Sequence, residues 1–369
     1  MVGQIIIQMG YATPYLGSSF SFVLIMSIPV AIIGLSRVKN FYILVNLNIS
    51  RAFFLFLIFY LIFVIFKYAG GVESDFLIYH LKSILRLIAF YFVTLNFYFG
   101  KTFNEGRKSF IVLCIGLIIV CLSVWGGINI SAIEVGDGYF ELDYQMLAFL
   151  ILFVFINNIA LRGDKGRILM SLFMVISLFY LGARTEFYIA FMLLVVVEFL
   201  KAENKSVAIA LFVVFSFLSM MLGYIYIYID SDGLSNIRIF AVLFDGDASQ
   251  VSRTDLTMNA IETISRNPFF GDFGSHELGA YSHNLLSAWV DFGFFGFIYL
   301  VFLVFAPFFH ALKKIHKTTI PVYILTISSL AALVMAFVLA KTYNYTMLAV
   351  ALAYYGIWLS KRGNLKNDR

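Results

Sequence analysis

The sequence predicts an all-α polytopic membrane protein, with about 11–12 transmembrane helices and one large extracytoplasmic loop. Three observations carry this expectation. Hydrophobic residues make up 62% of the 369 positions and charged ones only 13%, against roughly 25% charged in soluble domains. Apolar runs recur at lengths near the ~20 residues that a helix needs to cross a bilayer. The polar breaks between those runs alternate in charge, which is the mark of a chain threaded back and forth through a membrane.

Taken in order, the apolar runs place spans near 17–36, 52–69, 77–99, 109–130, 145–161, 168–182, 187–200, 206–229, 284–308, 318–340 and 345–360. Residues 4–16 are apolar but short and interrupted by Pro14, so they are read as a re-entrant or interfacial twelfth piece. No Lys or Arg precedes Arg37. The basic leader of a cleaved signal peptide is therefore missing, and the first apolar segment is expected to stay as an anchor. Cys114 and Cys121 lie seven apart in one apolar run, too far along a helix for a disulfide, and are expected to pack.

The basic breaks hold Arg37, Lys39 and Arg51; Lys101, Arg107 and Lys108; Arg162, Lys165 and Arg167; Lys201 and Lys205; and Lys313, Lys314 and Lys317. The tail adds Lys361, Arg362, Lys366 and Arg369. The intervening breaks read GGVESD and SAIEVGDGYFELD, acidic and free of cations. The positive-inside rule puts the basic side and the C-terminus in the cytoplasm and residues 230–283 outside. The net charge of +5 is explained by these loops, and no nucleic-acid partner is expected. No repeat or linker divides the chain, so residues 1–369 read as a single transmembrane domain containing the 230–283 loop.

Two places carry charge where lipid would penalise it by ~2.5–3.5 kcal/mol per cation. The first is Gly182-Ala183-Arg184-Thr185-Glu186. The span expected at 187–200 would rise only ~21 Å as helix against a ~30 Å hydrocarbon core, so the outer turn would sit recessed with Arg184 inside the membrane. A partly desolvated guanidinium binds phosphate or carboxylate well; a local pair with Glu186 is the plain alternative. The second is Lys82 and Arg86, spaced i,i+4 on one helical face. They repel unless an anion or an outer-loop acid lies between them.

The segment from Arg253 to Gly296 is the longest polar insert. It runs through Asn267-Pro268 and Gly271-Asp272-Phe273-Gly274 to His283-Asn284, then enters an apolar helix with Gly293 and Gly296. His283 stands at the membrane boundary with an ordinary pKa near 6.5, suited to a general base, although a lone His is more often structural. Asn284 is suited to cap the helix or to orient the imidazole. The glycines mark a face where a backbone or a lipid tail comes close. Asp230/Asp232 and Asp245/Asp247 resemble metal-binding pairs, but the twelfth positions are Ala241 and Leu256, so solvated turn acids are expected. No H-E-x-x-H, Walker loop or G-x-S-x-G is present.

Four elements occur in order: Gly-Ala-Arg-Thr at 182–185, Ser-Arg-Thr at 252–254, Asn-Pro-Phe-Phe-Gly-Asp-Phe-Gly at 267–274, and Ser-His-Asn-Leu-Leu at 282–286 ahead of Gly293 and Gly296. In this the chain resembles the Wzy O-antigen polymerase and WaaL O-antigen ligase superfamily. The resemblance covers about residues 182–296, and Asp291 stands where the family commonly has Glu. It implies a metal-independent glycosyltransferase of the bacterial inner membrane that needs no cofactor and uses glycans on undecaprenyl diphosphate. His283, Arg184 and Arg253 would be catalytic; Lys82, Arg86, Tyr281 and Asn284 would bind substrate. Membrane lipid, a chain-length regulator and a flippase are the partners implied. The polymerase is the favoured reading. A ligase acting on lipid A–core is the alternative of like chemistry, and a lipid-linked glycan flippase is the alternative of another class.

Overall fold

The computed structural model describes residues 48–70, 74–99, 133–135, 138–140, 144–161, 164–180, 183–201, 248–275, 284–314, 321–339 and 341–367. They form nine helices and one small hairpin. The helices are α1 (Asn48–Ala69), α2 (Ser74–Phe99), α3 (Tyr144–Leu161), α4 (Asp164–Tyr180), α5 (Arg184–Lys201), α6 (Ala248–Arg266), α7 (Leu286–Leu312), α8 (Pro321–Leu339) and α9 (Met347–Asn367). The strands β1 (Ile133–Val135) and β2 (Gly138–Phe140) pair antiparallel with Ile133 opposite Phe140, inside the acidic segment read as a loop.

Eight helices fall on expected spans. Segments 1–47, 109–130 and 206–229, Cys114 and Cys121, and the four acids of the Asp230/Asp232 and Asp245/Asp247 pairs lie outside the described residues. Among the described helices, Asn48–Ala69, Phe76–Leu95, Leu286–Leu312 and Pro321–Leu339 are long and apolar enough to cross a membrane. The stretches Ala148–Ala160, Ile168–Phe179 and Met347–Ser360 are apolar but shorter.

Two helices make the centre. Every residue from Val322 to Leu330 in α8 and from Met347 to Trp358 in α9 is buried. A helix apolar on all sides is stable only when covered on all sides. Ala349, Ala351 and Ala353 keep α9 thin, so backbones approach closely and dispersion contacts replace the hydrophobic drive that lipid cannot supply. Around this pair stand α2, α5, α7 and α3, with α1 against α2 and α7, and α4 against α3 and α5. Interhelical hydrogen bonds thread the interior: Tyr354 Oη donates to Asn157 Oδ1 at 2.5 Å, and Thr326 Oγ1 to the Tyr354 carbonyl at 3.1 Å.

The outer helices are two-faced. In α1, Phe53, Phe56, Leu57, Tyr60 and Val64 recur every three or four residues and are buried, while Leu55, Ile58, Ile62 and Ile65 are exposed. An apolar outer face on an apolar helix is what lipid accepts.

One unexpected feature is a helix at residues 248–266, inside the segment expected as the large outer loop. That stretch contains neither Gly nor Pro, and its last turn is closed by an exposed i,i+4 pair between Glu262 and Arg266. A departure concerns α5. It begins at Arg184, so its 18 residues rise ~27 Å and remove most of the shortfall that was expected to draw Arg184 into the membrane.

Candidate functional site

One end of the bundle gathers the polar chemistry. It is built from the C-terminal end of α1, the N-terminal ends of α2, α5 and α7, and residues 341–346 between α8 and α9.

The turn at 267–275 caps this end. Asn267-Pro268 stops α6, and Gly271 and Gly274 then adopt φ of 70° and 69°, which only glycine enters without strain. Phe273 points inward, 6% exposed, into a cage of aromatic rings. It stacks on Phe292 at 5.6 Å and meets Phe76, His80 and Phe63 at 5.6, 5.1 and 5.9 Å. The turn closes on α7 where that helix kinks at Gly293, whose φ is 66°. There the Phe294 N–H donates to the Pro268 carbonyl at 2.9 Å, and the Asp272 N–H to the Val290 carbonyl at 2.6 Å. A β-carbon on Gly293 would lie 2.2 Å from the Phe269 carbonyl oxygen, so the close approach expected of this glycine is made by a backbone.

Asp291 is the hub beneath the turn. Its Oδ1 accepts the Gly274 N–H at 3.3 Å and its Oδ2 accepts the Tyr343 hydroxyl at 2.7 Å. Burial, and then the adjacent Asp291 carboxylate, push the Tyr343 phenol well above its ordinary value, so it stays a donor. Tyr343 meets Tyr60 edge to face at 5.3 Å, and the Tyr60 hydroxyl lies 2.5 Å from His80 Nδ1. A polar chain therefore runs from α2 through α1 and residues 341–346 to α7. At its rim Lys67 Nζ stands 3.8 Å from Asp272.

A second cluster lies two residues on. Glu186, 2% exposed, pairs with Lys341 at 2.8 Å and accepts the Tyr345 hydroxyl at 3.2 Å. The Lys341 ammonium sits 5.2 Å from the centre of the Tyr345 ring. Asn344 Nδ2 reaches Ser83 Oγ at 3.4 Å, binding the same segment to α2.

Arg86 enters this region from α2. It is half-buried, and its buried Nε has no hydrogen-bond partner. Lys82, one turn away, is exposed, so the two cations expected to share a face differ in surroundings. Arg184 opens α5 half-buried, two residues from Glu186. Asn284 stands just before α7, its Oδ1 accepting the Leu286 N–H at 2.9 Å. Arg253 lies in α6, with its side chain outside the described residues. Tyr281 and His283 also lie outside them.

Thus Arg86, Arg184 and Asn284 belong to the end of the bundle where residues 341–346 are held. The sequence reading missed Lys341, Tyr343 and Tyr345. The signal is present: K-T-Y-N-Y-T carries two tyrosines and a lysine where two apolar runs meet, and the expected spans 318–340 and 345–360 leave its first four residues between them and absorb the last two. Among the described residues no three His, Cys, Asp or Glu side chains converge as a metal site.

The fold and site define an α-helical membrane protein with a polar, cation-bearing cluster at one end of its bundle. No protein-family model, no curated protein and no solved structure matches the chain.

Proposed function

We propose that this protein is a polysaccharide polymerase of the bacterial inner membrane, a glycosyltransferase that needs no metal. It would move a growing glycan from undecaprenyl diphosphate to a sugar hydroxyl of a lipid-linked repeat unit. The observation that supports this reading is that Arg184 and Asn284 stand at the starts of α5 and α7 at one end of an apolar bundle, with Arg86 deeper along α2. Such an arrangement suits a substrate with a lipid tail, a diphosphate at the membrane boundary and sugars beyond it. Its support from sequence is the ordered set of motifs between residues 182 and 296.

In this mechanism Arg184 and Arg253 hold the diphosphate, and Lys82 and Arg86 are secondary to them. Fixed cations stabilise the charge that builds on the leaving group as the glycosidic C–O bond breaks. His283 takes the proton of the attacking hydroxyl, a contribution of ~10²–10⁴-fold. Tyr281 and Asn284 orient the acceptor.

The experiment uses purified full-length protein in vesicles with lipid-linked repeat units. His283→Ala and Arg184→Ala are each expected to abolish polymer growth while leaving thermal unfolding unchanged. Polymer from both variants at the wild-type rate overturns the mechanism. Transfer to lipid A–core without chain extension would identify a ligase, and translocation without bond formation a flippase.

A further inference from the structure

Helix α6 presents three distinct faces. Ala260 is buried, with Leu256 and Ile264 half-buried beside it, on the side packed against α7. Asp255, Asn259, Glu262 and Arg266 recur every three or four residues as an exposed polar stripe. On a third side Met258 and Ile261 are 62% and 49% exposed. The helical step of 100° per residue puts that apolar stripe beside the polar one and away from the packed side.

The turn that follows continues the apolar stripe. Phe269 and Phe270 are 59% and 82% exposed, the reverse of Phe273 three residues later. The turn is hydrogen-bonded to α7 at Phe294, and Phe295, next along, is 65% exposed. Phe295, Phe302 and Phe309, seven apart, form one outward stripe down a helix long and apolar enough to cross a membrane. Trp289 lies half-buried at the junction. Its ring stacks on Phe297 at 4.8 Å and its indole N–H donates to the Pro268 carbonyl at 2.9 Å. An indole with an apolar body and one satisfied donor is the side chain favoured where hydrocarbon meets headgroups.

We propose that α6 and the Phe269–Phe270 turn form a membrane-interface anchor, with both phenyl rings among the acyl chains of the leaflet at this end. The occupant of the apolar stripe is the bilayer itself. The argument is continuity: the exposed rings of the turn abut the stripe that α7 turns toward lipid. The polar stripe lies beside the apolar one and away from α7, where headgroups and water would meet it. This inference does not depend on the glycan reading and survives its failure.

The test uses full-length protein with Cys114→Ala and Cys121→Ala, in vesicles of phosphatidylethanolamine and phosphatidylglycerol. A nitroxide is attached in turn to Phe270→Cys, Phe302→Cys and Asn259→Cys. Collisions with dissolved oxygen and with a water-soluble nickel chelate then report depth. The Phe270 label is expected to match the Phe302 label, favouring oxygen, while the Asn259 label favours nickel. A Phe270 label as open to nickel as the Asn259 label overturns the anchor. Dipolar broadening at Phe270 that disappears on dilution with unlabelled protein also overturns it, because a second copy would then cover the stripe. As a check free of the label, Phe270→Trp should add emission that lipids brominated along the acyl chain quench. Absence of added quenching counts against the proposal.

Discussion

At Gly293 the α7 backbone leaves the right-handed region, and the room that a β-carbon would take is filled by the Phe269 carbonyl. For an L-residue this backbone conformation, open essentially to glycine alone, costs ~1–3 kcal/mol before any clash is counted. Gly293→Ala is therefore expected to lower the unfolding temperature in detergent and to expose the 267–275 turn to protease. Ser275→Ala, at an exposed position of the same turn, should change neither. The glycine pair was legible in the sequence as a place of close approach. Its partner was not, because no local pattern says that a turn some twenty residues earlier folds back onto the kink. Asp291 was legible only as an acid before the glycines. Its tie to Tyr343, 52 residues away, is a product of packing.

The connection between α8 and α9 has a weight that its length conceals. Its Lys341 neutralises Glu186 on α5, a pair with side-chain exposures of only 14% and 3%. Removing one member of a buried pair strands the other, typically at a cost of ~3–5 kcal/mol, whereas removing both is often tolerated. Lys341→Met should therefore destabilise the protein strongly in a thermal melt, and the double variant with Glu186→Gln should recover much of the loss. Additive losses would contradict this account. Helices α7 and α8 were legible from hydropathy to within a few residues, as was the apolar part of α9 from Met347 to Ser360, although that helix runs on through basic residues to Asn367. Helix α6 was not, because its sequence is polar overall and lies inside a segment whose Asn, Pro and Gly residues read as loop. The start of α5 was set too late, because Arg184, Thr185 and Glu186 were read as a turn. They form the first turn of the helix, with Glu186 satisfied by a partner 155 positions on.

Across the whole molecule the charge alternation acquires a geometry. Lys313 and Lys314 follow the far end of α7, and Lys361, Arg362 and Lys366 lie in the last turns of α9, at the end opposite Asp291 and Glu186. The positive-inside rule assigns that far end to the cytoplasm. With Cys114→Ala and Cys121→Ala in place, Ser275→Cys and Lys313→Cys, both at exposed positions, should react with a membrane-impermeant maleimide from opposite faces of sealed vesicles. Labelling of both from one face would refute the assigned orientation. The contacts that hold the polar end together also set a timetable for synthesis. Phe273 sits among rings from α1, α2 and α7, and Asn344 reaches Ser83 across 261 residues. A nascent chain leaves the ribosome with its early helices waiting in the bilayer. Residues 341–346 must emerge before Asp291, Glu186 and Ser83 meet their partners, so a chain cut short before residue 341 inserts its first helices but never closes this end.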